Sequence, residues 1–273
     1  TKSNAATTSN AFWYYSDYSL AFGNSALYQV RAEVCQPTPA TGTVRESNCV
    51  KYGNSSYKPV GEIQRNGEKM RFGLFSYYNA NDIDNAVMRS KAKYVAPLKW
   101  SSSGGSVANT VAEWSAADGT LVANPDPSST QTSSVTYSQS GVINYVNQFG
   151  TVSQGYKTYD NVGKLYYETL KYLRGLQPTT AFNTRATAGN SDGFPVITSW
   201  DDPVQYWCQK NYIIAMGDTH THCDKRLPGG TSGSYGAGQC TGNSQTSDEG
   251  SLGGDTTINV ATMTTALGTL EGY

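Results

Sequence analysis

Charge is what this sequence has least of. Asp, Glu, Lys and Arg make up 15% of its 273 residues and the net charge is -1. No basic face therefore stands out for nucleic acid or anionic lipid, and a nucleic-acid partner is not expected. Histidine occurs only twice, and none of the five cysteines sits in a Cys-x-x-Cys pair, which argues against a zinc ribbon or a thioredoxin-type redox site. No stretch approaches the ~20 apolar residues of a membrane helix, so no span is expected in this chain. Residues 1–10 lack the charged and apolar blocks of a signal peptide, and the chain is expected to be a mature protein or a fragment of a longer one.

Enzyme signatures are equally scarce. There is no phosphate-binding glycine loop, and no Gly-x-Ser-x-Gly elbow to raise a serine nucleophile. The pair Asp201-Asp202 precedes Pro203 and reads as a turn at least as well as a glycosidase acid pair.

What is abundant is Ser, Thr, Asn, Gly and aromatic residues, with 20 Tyr. Tyr and Trp supply large amphipathic contact area at small entropic cost, in a binding surface or in a β-rich core. Cys35 and Cys49 bracket a turn-rich segment, residues 36–48, that holds Pro37, Pro39 and a Thr41-Gly42 step. A disulfide closing that loop is expected, and with it an oxidising compartment.

Periodicity outlines the elements. Residues 26–34 alternate as a half-buried strand, residues 59–70 suit a short helix with Pro59 at its start and Gly67 near its end, and residues 71–77 suit a buried strand. Residues 100–140 form a Ser-, Gly-, Thr- and Pro-rich excursion with a hairpin at Asp118-Gly119. Helical spacing returns over residues 141–149, and again after Asp160, where Val162, Leu165, Tyr166, Leu170 and Leu173 make one stripe ending near Gly175. Residues 212–216 form an apolar run before Gly217-Asp218, the profile of a central parallel strand. Residues 226–254 are again Gly- and Ser-rich, and Asn259 is placed to cap a last helix bearing Val260, Met263, Leu267 and Leu270. That order predicts an α/β fold: a mostly parallel core sheet over 26–99 and 141–273, with helices, large β-rich or irregular insertions, and an inserted hairpin and loop over 100–140.

Several ordered blocks carry a family likeness. Val30-Arg31-Ala32-Glu33-Val34-Cys35, Asn48-Cys49-Val50-Lys51-Tyr52-Gly53, Tyr57-Lys58-Pro59-Val60-Gly61 and Met70-Arg71-Phe72-Gly73-Leu74-Phe75-Ser76-Tyr77 come first. Ser140-Gly141-Val142-Ile143-Asn144-Tyr145, Asp192-Gly193-Phe194-Pro195-Val196-Ile197, and Trp200-Asp201-Asp202-Pro203 leading to Cys208-Gln209-Lys210-Asn211-Tyr212-Ile213-Ile214 follow. Together they resemble the PilC/PilY family of type IV pilus tip-associated proteins. Such proteins join an N-terminal region, often similar to a von Willebrand factor A domain, to a C-terminal calcium-binding β-propeller. This sequence lacks the acidic calcium loop and blade-like strands of the propeller, so the resemblance places it in the middle of a longer protein.

The resemblance implies a von Willebrand factor A-like core, an extracellular location at the cell surface or pilus tip, and a role in adhesion and pilus biogenesis without catalysis. Pilins, major or minor, and host or abiotic surfaces are the implied partners. It also favours pairing Cys208 with Cys240, since the family tends to carry a small residue at the position of Cys223; Cys223 with Cys240 is the close alternative. A metal-dependent adhesion site holds Ca2+ or Mg2+ with a carboxylate and hydroxyls at the carboxyl ends of parallel strands. Asp218, Thr219 and Thr158 are the candidates here. The Asp-x-Ser-x-Ser element of such sites is absent, Asp17-Tyr18-Ser19 being only a partial substitute, and Asp218 can equally cap a turn.

His220 and His222, with Asp218 and Asp224, make a polar cluster that could ligate a transition metal or lie in an exposed loop. In the polar excursions, Trp100, Trp114 and Tyr235 are the aromatics expected to meet a partner. A secreted carbohydrate-binding or carbohydrate-active module, stacking its aromatics on sugar rings, is the alternative reading.

Overall fold

The computed structural model describes residues 33–79, 85–128, 136–148, 161–184, 186–216, 227 and 259–272. Two units emerge: Thr1–Gly61 with Ala116–Gly119, and Glu62–Ser115 with Thr120–Tyr273.

In the first unit, β1 (Cys49–Tyr52) and β2 (Ser56–Pro59) form an antiparallel hairpin. Gly53 turns it in the left-handed region (φ 55°), and a Cβ there would lie 2.6 Å from the Ala117 carbonyl oxygen, so only glycine fits without a shift. The expected disulfide is formed: Cys35 joins Cys49, with Cα atoms 5.5 Å apart. The loop it closes is held by its own side chains. The Arg45 guanidinium donates to the Gln36 and Pro37 carbonyls and lies 3.6 Å from the Tyr57 ring centroid, while Glu46 accepts the Cys35 N–H at 3.0 Å.

In the second unit, α1 (Glu62–Asn66) both begins later and ends earlier than the expected helix over 59–70, Pro59 being the last residue of β2 and not a helix start. The early end has a tertiary cause. Gly67 is wedged where a Cβ would meet Trp114 and Val95 at 2.9 Å, and its carbonyl receives the N–H groups of Val95 and Ala96 instead of continuing the helix. Next come β3 (Arg71–Ser76) and β4 (Val87–Tyr94), an antiparallel pair whose register shifts around Leu74. The connection between them is clasped by Asn85, whose side chain exchanges two hydrogen bonds with the Tyr78 backbone at 2.9 and 2.7 Å. A further hairpin, β5 (Leu98–Trp100) and β6 (Ser106–Ala108), follows. Trp114 bridges Leu121 in this unit, and the turn between them at Asp118-Gly119, as expected of that dipeptide, belongs to the first unit.

α2 (Val142–Gln148) packs on β3 and β4, and α3 (Val162–Leu173) on β3. Ile197 adds a bridge to Met88 through its N–H at 3.0 Å. The core between them holds Met88, Tyr172, Ile197 and Trp200. Phe75, Tyr172 and Trp200 form an aromatic triangle with centroids 5.5 to 5.9 Å apart. The Tyr172 hydroxyl accepts the Ala92 N–H at 3.0 Å, so the polar end of a buried ring is satisfied.

Among the described residues the strand pairings are antiparallel and each sheet has two strands. Two expectations change. Residues 212–216 form no strand and stand exposed, Ile214 at 87%, and no strand among the described residues pairs with them. The residues buried on α3 are Lys164, Glu168 and Tyr172, one turn apart, while Tyr166 and Leu170 of the expected apolar stripe are exposed. That helix is seated by specific partners for its polar groups more than by its hydrophobic stripe.

The expected strand at 26–34 lies almost wholly outside the described residues. α4 (Val260–Glu271) has the predicted cap, Asn259 accepting the Thr262 N–H at 3.0 Å, and ends at Gly272 in the left-handed region. Its Met263, Leu267 and Leu270 are exposed. No helix among the described residues is long and apolar enough to cross a membrane.

Candidate functional site: a basic, aromatic cleft

The β4 end, the β5–β6 hairpin and the segment after Pro203 together line a cleft of about 680 Å3, within the size range of ligand sites. Trp100, expected from the sequence to meet a partner, is 56% exposed on its wall, and Tyr206 is 55% exposed beside it. Arg71, Lys93, Lys99 and Tyr94 also line it, and no carboxylate does among the described residues.

The three cations differ in how their charge is used. Lys93 is committed: its ammonium lies 2.7 Å from Asp126, 3.2 Å from Glu113 and 3.2 Å from the Val111 carbonyl. Arg71 is anchored by neutral oxygens, those of the Pro203 carbonyl and the Gln209 side chain, the latter at 2.6 Å. Its orientation is fixed, and it makes no ion pair among the described residues. Lys99 lies on β5 opposite Val107, with no acidic partner among the described residues.

The hairpin wall is fastened from below. The Ser106 hydroxyl donates to the Glu68 carboxylate, and the Trp100 N–H to the Glu68 carbonyl at 3.3 Å. Asn109 donates to the Tyr94 and Ala96 carbonyls at 2.8 and 2.7 Å, fixing the floor.

Buried ionisable groups elsewhere have structural tasks. Glu113 accepts the N–H groups of Val142 and Ile143, both at 2.8 Å, at the start of α2. Glu168 accepts the Thr179 N–H at 2.9 Å and its hydroxyl at 2.5 Å. Burial pushes the Glu168 carboxyl above its ordinary range, with Thr179 and Lys171 pulling back. Burial likewise raises Asp192, against the opposing pull of Arg89 and Asn79. Arg89 donates to the carbonyls of Tyr77, Ser191 and Pro195, tying three segments together.

The other sequence-predicted residues divide. Trp114 is only 6% exposed; it is a packing residue against Gly67 and not a ring offered to a partner. Cys208 is exposed and joins no other cysteine among the described residues, and Cys240, its expected partner, and Cys223 lie outside them. So do Thr158, Asp218, Thr219, His220, His222 and Tyr235. Among the described residues, Cys35, Glu46 and Cys49 bring metal-type donor atoms together, but the disulfide consumes both sulfurs. Sequence reasoning missed Tyr206 and Trp207. Their signal was two adjacent aromatics just past a Pro-containing turn, in a segment without strand or helix periodicity.

Residues 72–273 match the family model described as the second domain of PilY1 homologues. The type IV pilus biogenesis factor PilY1 homologue of Xylella fastidiosa is 38% identical over 215 residues, which is 74% of this chain and 17% of that protein. The chain thus spans less than a fifth of the length of that relative. No solved structure matches it. A family match over most of the chain, joined to this identity, shows that the chain belongs to the PilY1-homologue family and carries its second domain.

Proposed function

We propose that this chain is part of an extracellular type IV pilus-tip protein that acts in surface attachment and pilus biogenesis by binding and without catalysis. The observation that carries the reading is a solvent-facing apolar segment in the second unit. Trp207 is 97% exposed, and Tyr206, Tyr212, Ile214 and Met216 are exposed with it. A run of large apolar side chains held in water is unfavourable unless it is covered in an assembly. Pilin subunits and the surfaces to which pili attach are the partners the family relation suggests.

The test is a full-length protein carrying Trp207→Ser with Ile214→Ser, expressed in a pilated host lacking its own copy. At unchanged protein level, fewer surface pili or fewer attached cells is expected. Wild-type numbers of both would overturn the proposal.

A further inference from the structure

We infer that the cleft between the β5–β6 hairpin and Tyr206 is a binding site for an acidic saccharide. The inference rests on the attachment reading and gives that activity a ligand class.

Three features point to this chemistry. Trp100 and Tyr206, each more than half exposed, line one cleft; the C–H-rich faces of pyranose rings pack on such rings at little entropic cost. Charge comes next. Arg71 is oriented by the Pro203 carbonyl and Gln209, and Lys99 has no acidic partner among the described residues. With no carboxylate lining the cleft among the described residues, a ligand carboxylate is the group that would complete these two cations. Finally, Ser101, Ser102 and Gln205 line the rim and supply the neutral donors and acceptors that sugar hydroxyls need. A volume of about 680 Å3 accommodates a short oligosaccharide segment and leaves the polymer free to extend from an open groove.

An acidic peptide would also answer the cations. It would leave the two aromatic faces less well used, since an extended backbone offers alternating side chains and no continuous apolar ring face. The observations therefore favour the sugar.

The experiment titrates the whole 273-residue chain with hexagalacturonate, following tryptophan fluorescence and heat. Neutral cellohexaose and hexaglutamate serve as comparators. Saturable binding of hexagalacturonate is expected, at least about tenfold tighter than either comparator and weakening as salt rises. Trp100→Ala and Lys99→Glu should each weaken it about tenfold or more without changing the melting temperature, and Lys99→Arg should retain it. Absent binding, equal binding of hexaglutamate or cellohexaose, or indifference to both substitutions would overturn the inference.

The same Trp100→Ala variant, in the full-length protein on pilated cells, separates this site from the general reading. Loss of attachment without any hexagalacturonate binding overturns the saccharide and leaves attachment standing. Saccharide binding with unchanged attachment supports the site and removes it from the attachment role.

Discussion

The Glu113 carboxylate accepts the backbone N–H of Val142 at 2.8 Å, across 29 residues of sequence. A second oxygen takes Ile143 at the same distance, and Lys93 closes the pair from the other side at 3.2 Å. α2 thus begins on an acid from a distant loop, favourable both for its free N–H groups and for its dipole. Glu113→Ala should destabilise the protein by about 3 kcal/mol, since it leaves two buried donors unmade and one partner of Lys93 missing. Chemical denaturation measures this, and a loss below the usual scatter of surface substitutions would show that α2 does not depend on the cap.

Gly67 marks a second close approach. A methyl group there would sit 2.9 Å from both Trp114 and Val95, neither of which is a flexible side-chain end with somewhere to go. Gly67→Ala is expected to cost about 2 kcal/mol through overpacking, read as a lower denaturation midpoint at unchanged m-value. A neutral or stabilising result, as helix propensity alone would give, would count against the packing.

The Cys35–Cys49 bridge closes a short loop in the first unit, with a sequence separation of 14. On the chain-entropy model it contributes about 3 kcal/mol. A non-reduced digest should release the two cysteine peptides as one species, and replacing both by serine should lower the resistance of that unit to proteolysis. Free thiols at both positions would refute it.

Glu168 provides a pH test. Its folded pKa lies above the ordinary 4.5 because burial outweighs the help of Thr179 and Lys171. Over the window from 4.5 upward to the raised value, the folded state binds more protons than the unfolded one. Stability associated with this group is therefore fully present below 4.5 and declines as pH rises through that window. Glu168→Gln cannot titrate, so the melting temperature of the variant minus that of wild type should increase as pH is raised from about 4 to 7. A difference that falls instead would mean that Lys171 and Thr179 hold the carboxylate ionised.

Local chemistry was readable without coordinates. The Cys35–Cys49 loop, the Asp118-Gly119 return, the helix over 142–148 and the Asn259 cap each depend on a few neighbouring residues whose backbone preferences are strong. One wall of the cleft was legible in the same way, as an aromatic residue in a polar segment. Its other wall was not. Tyr206 comes to line the same cleft as Trp100 with the chain after Pro203 held by a bond between Gln209 and Arg71, 138 residues apart in sequence.

What the sequence determined by itself was several short-range structures and, through its ordered blocks, the family to which the chain belongs. Which face of each element is covered was decided by tertiary structure. Period alone marks Leu165, Tyr166 and Leu170 as the inner side of α3, yet Lys164, Glu168 and Tyr172 are the residues buried there. Glu168 can be buried because Thr179 arrives with two donors, and a buried charge is tolerated only where such partners come from elsewhere in the chain. The run 212–216 has the composition of a central strand but stays exposed, because a strand is buried by its neighbours and not by its own hydrophobicity.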